Sequence, residues 1–175
     1  CYGDHSDGPA PALFFHGNGF SAHTYNTLLT DIGAHTPVRA FDLQGHGGSD
    51  QIQSVQDLQR WQLYRNNVAF ALERNGGGIL IGHSMGGLSS MFTAMKHPKR
   101  VRALILLEPV FLSPRMTLGL GFVRAFGAEA RGNGLIKQAR ARRQYFANTE
   151  EAVEYFLGRK GLKTWPEDAI RNYAH

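Results

Sequence analysis

Ile79-Leu80-Ile81 runs directly into Gly82-His83-Ser84-Met85-Gly86-Gly87, and a pattern with Leu88, Met91, Phe92 and Met95 continues until Pro98. No other stretch constrains the fold as much. A short apolar run bounded by turn residues reads as a buried parallel strand, and the period that follows reads as a helix ended by proline. A serine on the sharp turn between them has its hydroxyl lifted above the sheet and crowded backbone on both sides. Only glycine leaves room two residues before and two after. The helix N-terminus behind the serine adds partial positive charge near a developing oxyanion. In a chain with 21 Gly the Gly-x-Ser-x-Gly spacing also arises by chance. The strand before it and the helix after it are the context that gives the pattern meaning.

The rest of the chain repeats this alternation. Ala12-Leu13-Phe14-Phe15 is an apolar run ending at His16-Gly17-Asn18-Gly19, and Ser21 is placed to cap a helix over roughly 22–33 with Tyr25, Leu28, Leu29 and Ile32 on one face. Val38-Arg39-Ala40-Phe41 is a second strand, closed by Asp42 and the loop Gly45-His46-Gly47-Gly48-Ser49. Ser54 and Asp57 have capping-box spacing before a helix of about 55–74, which carries Leu58, Trp61, Val68 and Leu72 and stops at Asn75-Gly76-Gly77-Gly78. Val101 to Leu107 is a fourth strand, apolar on both faces. Strand and helix alternate and the strands are continuously apolar, so the fold class is α/β, a parallel sheet covered by helices on both faces. Residues 112–175 contain no convincing strand. Glu150, Glu151 and Glu154 with Val153, Phe156 and Leu157 make an amphipathic helix, and Trp165-Pro166-Glu167 begins another. The division is therefore a core over 1–111 and a helical cap over 112–175.

Composition removes several classes. A single Cys, at position 1, leaves no disulfide framework and no cysteine-rich zinc site. There is no apolar run of transmembrane length and no signal-peptide pattern, and the expectation is a cytoplasmic protein without a membrane partner. The net charge of +5 is concentrated in Arg131, Lys137, Arg140, Arg142 and Arg143. No stacking aromatics are interleaved at the core of that run, so it reads as a solvated helix face and no nucleic-acid partner is expected.

His16-Gly17-Asn18-Gly19, Asp42-x-x-Gly45-x-Gly47-x-Ser49 and Gly82-His83-Ser84-Met85-Gly86-Gly87, each following a strand, resemble in order and spacing the three landmark loops of the α/β-hydrolase superfamily. The segment from Arg142-Arg143 through Glu150-Glu151 to Trp165-Pro166-Glu167 and Tyr173 is similar to the cap of a bacterial esterase-like branch. Carried over by position, the resemblance implies Ser84 as nucleophile and the backbone N–H groups of Asn18 and Met85 as the oxyanion hole. Asn18 also reads as an ordinary turn residue. Gly48 departs from the pattern, because that loop often carries a charged residue there.

A serine hydroxyl needs a general base. In this superfamily the histidine comes late, in the order Ser, acid, His. His5, His16, His23, His35, His46, His83, His97 and His175 all fail that placement. His83 adjoins Ser84 but should leave the turn in another direction, and His16 and His46 lie in loops where the resemblance implies structural roles. The expectation is a truncated chain that lacks terminal strands and whose catalytic histidine lies beyond residue 175, leaving this fragment inactive by itself. The acid is assigned to Glu108, delivered by the fourth strand to the sheet edge where functional groups collect. A structural carboxylate, or an acid one strand later, is the competing reading. Asp42 is expected to brace its glycine loop through backbone hydrogen bonds.

These residues imply a serine hydrolase acting on an ester, lactone or thioester through an acyl-enzyme, with a small-molecule acyl substrate and no cofactor or metal. Phe111, Leu112, Leu118, Leu120 and Phe122 suggest an apolar acyl or alcohol group, or ordinary cap packing. The alternatives are a carbon–carbon bond hydrolase or lyase on the same scaffold and a hydrolase-fold ligand receptor.

Overall fold

The structure is a computed structural model that describes residues 11–52, 62–109, 141, 143 and 145–174. Four strands form one parallel sheet, β1 (Ala12–Phe15), β2 (Val38–Phe41), β3 (Gly78–His83) and β4 (Val101–Leu107), in the order β2-β1-β3-β4. Phe15 pairs with Phe41 on one side and with Gly82 on the other, and Gly82 pairs with Leu106. The carboxyl ends of all four strands are thereby aligned along one edge.

Strand β1 is wholly buried, and its alternate residues serve opposite faces. Leu13 and Phe15 join Leu43, Leu80 and Met85 in one cluster with Tyr64, Val68, Ala71 and Leu72 of helix α2 (Gln62–Arg74). Ala12 and Phe14 join Val38, Ala40, Ile81 and Leu29 of helix α1 (Asn26–Gly33) in the other. Two buried faces are the physical reason that β1 reads as an unbroken apolar run, whereas β4, at the sheet's edge, has no fully buried residue and leaves Ile105 exposed. Helix α3 (Met85–Lys96) follows β3 without a linker beyond Ser84. The turn after α2 places Gly77 at φ 115°, where an added Cβ would lie 2.7 Å from the Arg100 carbonyl oxygen. The glycine run thus lets the chain enter β3 beside β4.

The helix expected over 22–33 opens as a 3-10 turn at His23–Tyr25. Ser21 does not cap it. The Ala22 N–H is instead taken by Asp42 Oδ1 at 2.7 Å, while the Thr24 hydroxyl accepts from the Ser21 N–H at 3.3 Å. The carboxylate from the neighbouring loop holds the backbone just ahead of the turn, which has no side-chain cap of its own. Ser54, Asp57, Leu58 and Trp61 lie outside the described residues.

Helices α4 (Thr149–Leu157) and α5 (Glu167–Ala174) pack on each other and on the 3-10 turn. Asn148 caps α4 by accepting from the Glu151 N–H at 2.9 Å, and Glu151 accepts from the Ala147 N–H at 2.6 Å. Val153 and Ile170 are buried, and Thr27 donates to Asp168 at 2.7 Å. Arg171 bridges Glu150 and Glu167, an exposed arrangement whose net contribution is small. The apolar positions Phe111, Leu112, Leu118, Leu120 and Phe122, and the basic positions 131, 137, 140 and 142, lie outside the described residues. Among the described residues no helix is long and apolar enough to cross a membrane.

Candidate active site

Ser84 stands between β3 and α3 with φ 49° and ψ −110°, a conformation that L-residues avoid. Three glycines make it sterically possible. A Cβ on Gly82 would lie 2.6 Å from the Gly86 carbonyl, one on Gly86 would lie 2.3 Å from the Phe15 oxygen, and one on Gly87 would lie 2.8 Å from the Gly82 oxygen. The turn is tied on three sides. Ser84 N–H donates to Leu107 at 3.0 Å, Gly86 N–H donates to the His16 carbonyl at 3.1 Å, and Leu88 N–H donates to Ser84 at 3.0 Å. The loop after β1 and the end of β4 therefore hold the serine in its strained backbone.

The three landmark loops converge here through His16 and Asp42. His16 is fully buried; its Nε2 accepts from the Leu43 N–H at 2.9 Å, so Nδ1 carries the proton and donates to the Gly17 carbonyl at 2.7 Å. Burial lowers its pKa to about 4, so the ring is neutral. Asp42 does brace the glycine loop: Oδ2 accepts from Gly48 N–H at 2.9 Å and its carbonyl from the Ser49 hydroxyl at 2.6 Å. Gly47, at φ 52°, leaves space that its own Cβ would otherwise take from the Asp42 carboxylate at 2.2 Å.

His83 turns away from Ser84. Its Nδ1 meets the Tyr25 hydroxyl at 2.6 Å, and that hydroxyl oxygen accepts from the Gly17 N–H at 3.2 Å. Burial raises the Tyr25 pKa to about 12, so the phenol keeps its proton; with the Gly17 N–H donating to its oxygen, that proton is left for His83 Nδ1, the tautomer in which His83 carries its own on Nε2. Burial also lowers the His83 pKa, opposed by the Glu108 carboxylate. The ring lies so close to the loop that a Cβ on Gly17 would meet Nδ1 at 2.6 Å. Tyr25 is the residue that sequence reasoning missed. It reads as one member of an apolar helix face, and only the need of a buried phenol for a polar partner signals more.

The backbone N–H groups of Asn18 and Met85 have no hydrogen-bond partner among the described residues. The Asn18 side chain meets His46 Nε2 at 3.2 Å. Glu108 follows β4 at φ 42° and is exposed, so the burial cost that singles out a carboxylate after an apolar strand does not act on it here. No described histidine is hydrogen-bonded to Ser84, and among the described residues no cluster of His, Cys, Asp or Glu could hold a metal. His5 and His175 lie outside the described residues.

The chain is similar to several characterised proteins. It is 27% identical to a 2-(acetamidomethylene)succinate hydrolase of Mesorhizobium japonicum over 91% of this chain and 51% of that one. It is 27% identical to a pimeloyl-[acyl-carrier protein] methyl ester esterase of Neisseria meningitidis over 94% of this chain and 58% of that one. The solved structure of an E-2-(acetamidomethylene)succinate hydrolase superposes with a TM-score of 0.68 at 27% identity, covering 96% of this chain and 56% of the other. Among curated relatives the chain spans from 29% to 58% of the partner's length. A sequence profile of the Alpha/beta hydrolase family matches residues 12–173, and the parallel sheet with its strained serine turn is the corresponding fold: the chain belongs to the alpha/beta hydrolase family.

Proposed function

We propose that the protein is a serine hydrolase acting on a carboxylic ester or a related acyl compound, with Ser84 as the nucleophile. The observation that carries this is the Ser84 backbone, held at φ 49° and ψ −110° by three glycines and three hydrogen bonds. A fold does not store strain at an unneeded residue when glycine would relieve it. The Asn18 and Met85 N–H groups, unspent among the described residues, suit the oxyanion of a tetrahedral intermediate. Such a donor contributes about 3–4 kcal/mol where one has been removed. Similarity to a methyl ester esterase supports the ester as the bond attacked.

In this reading Ser84 Oγ bonds to the acyl carbon while the bond to the alcohol oxygen breaks. A histidine outside the described residues takes the serine proton and gives it to the departing alcohol. Water then attacks the acyl-enzyme, releasing the acid and restoring Ser84. Glu108 orients the histidine, and residues 112–175 form the cap over the sheet's carboxyl edge. The packing of Phe20 against Trp165 and Tyr173, with ring centroids 5.9 and 5.5 Å away, supports that placement.

A fluorophosphonate probe tests the reading in the intact protein. Ser84 is labelled, and Ser84→Ala abolishes both labelling and turnover of 4-nitrophenyl esters. Labelling that survives the substitution removes Ser84 from the mechanism.

A further inference from the structure

Between the loop after β1 and the helices α4 and α5 lies a cavity of about 660 Å³. Asn18 and Phe20 form one wall, and the α4 end and the turn after it form the other. Among the described residues its lining includes Arg143, Arg159 and Lys160 and no carboxylate, so three positive charges face one space. The remaining walls are largely aromatic, with Tyr155, Phe156 and Tyr173.

The three cations are not equally committed. Arg143 is paired with Glu151 at 2.5 Å and lies over the Phe146 ring at 4.7 Å. Arg159 lies over the Tyr155 ring at 4.6 Å and donates to its hydroxyl, which ties the guanidinium to that ring and leaves donors unspent among the described residues. Lys160 has no ion-pair partner among the described residues. Like charges gathered around one cavity repel each other, and an anion between them removes that cost. A guanidinium held against an aromatic ring is pre-organised for a carboxylate or phosphate.

We infer that this cavity binds the anionic end of the substrate: an acyl compound that carries a carboxylate or phosphate remote from the reacting carbonyl. The inference rests on the serine-hydrolase reading above for the position of that carbonyl, beside Asn18. The aromatic walls take the apolar chain between the two ends, and Arg159 and Lys160 take the charge. A net charge of +5 draws such a substrate in from solution.

Two esters differing only at the far end decide it in the intact protein: 4-nitrophenyl hydrogen adipate and 4-nitrophenyl hexanoate. The adipate ester is favoured in kcat/KM by about tenfold or more, as one charge-assisted contact provides. Arg159→Met with Lys160→Met removes the preference, while Lys163→Met, outside the cavity lining, keeps it. Arg143 is left in place because it also holds Glu151. Calorimetric titration of Ser84→Ala protein gives a readout without turnover. Adipate binds, more weakly as salt rises. Glycerol 3-phosphate binding more tightly than adipate assigns the natural anion as a phosphate. Equal kcat/KM on both esters, with neither anion binding, overturns the inference. If no ester is turned over and Ser84 is not labelled, the hydrolase reading falls, and the titration alone decides the cavity.

Discussion

The Tyr25 hydroxyl donates to His83 Nδ1 across 2.6 Å and at the same time accepts from the Gly17 N–H at 3.2 Å. One phenol thus joins the residue before Ser84 to the residue before Asn18. Phe14 and Phe20 hold the ring in place, with centroids 4.8 and 5.9 Å away. Tyr25→Phe keeps that packing and removes only the oxygen. It leaves the Gly17 N–H and His83 Nδ1 without a partner in a half-buried site, which costs about 1–3 kcal/mol. The urea midpoint should fall without a change in slope, and fluorophosphonate labelling of Ser84 should slow because Gly17-Asn18 loses its anchor. Unchanged labelling with lowered stability would confine Tyr25 to a packing role.

His16 makes stability depend on pH in a direction set by burial. Its folded pKa is about 4 against 6.5 unfolded, so the folded state binds the proton less readily. The stability it contributes is complete above about pH 6.5, declines as pH falls through that value, and is lost below about pH 4. The difference of roughly 2.5 units corresponds to about 3 kcal/mol. Denaturation midpoints measured from pH 7 to pH 4 should fall for the natural protein. The His16→Gln variant should start lower, having lost the fit between Leu43 and Gly17, and show a flatter profile over the same range. Parallel profiles would assign the acid sensitivity to other groups.

Much of this was legible in the sequence because the centre of the sheet, β1 above all, is buried on both faces. Unbroken runs such as Ala12–Phe15 leave no other reading once glycine turns bound them, and the four strands fall where those runs do. The crowding at Gly82 and Gly86 was legible for the same reason, since a serine turn of this kind leaves a fixed glycine signature. What was not legible depends on partners distant in the chain. Asp42 takes the Ala22 N–H ahead of the 3-10 turn from twenty residues away, and Tyr25 finds His83 from fifty-eight away. The cationic cavity was invisible for another reason. Arg159 and Lys160 lie outside the basic run that dominates the charge pattern, and only the packing of Trp165 and α5 on Phe20, with Phe156 of α4 against Tyr173, brings them beside Asn18.

Two glycines separate steric need from flexibility. A Cβ on Gly86 meets two backbone carbonyls, Phe15 at 2.3 Å and His16 at 2.6 Å, and neither can yield without moving β1. Gly86→Ala should cost about 2–4 kcal/mol and displace the serine turn. Gly33, at the end of α1, has nothing within 4 Å of its added Cβ. Gly33→Ala should be neutral or stabilising by up to about 1 kcal/mol. Thermal unfolding of the two variants side by side checks both.

Ser84 itself should be worse for stability than glycine. Its φ of 49° and ψ of −110° suit a residue without a Cβ. Ser84→Gly relieves strain on the order of 1–3 kcal/mol and returns part of it as unfolded-state entropy. The net expectation is a gain of about 1 kcal/mol together with complete loss of fluorophosphonate labelling. Ser84→Ala loses labelling too but keeps the strain, so its stability stays near that of the natural protein. A Ser84→Gly variant less stable than Ser84→Ala would show that the backbone is not strained at this position.

Glu108 poses the same question for the proposed acid. It is the second described non-glycine residue with positive φ, at 42°, one residue after β4 ends and exposed to solvent. Burial does not explain a glutamate there, and backbone preference argues against one by about 1–2 kcal/mol. The remaining reason is position: the left-handed turn sets the carboxylate beside the carboxyl edge of the sheet, close enough to His83 to raise its pKa against the effect of burial. Two substitutions in the intact protein separate these terms. Glu108→Gly should hold or raise the melting temperature, since glycine accepts the turn without strain. Glu108→Gln keeps shape and strain and removes the charge; as the acid that orients the histidine, its loss should lower kcat by about 10³–10⁴ while Ser84 stays accessible to the probe. A kcat drop below about tenfold, with stability raised by glycine, would leave Glu108 a strained turn residue and move the acid to another part of the intact protein.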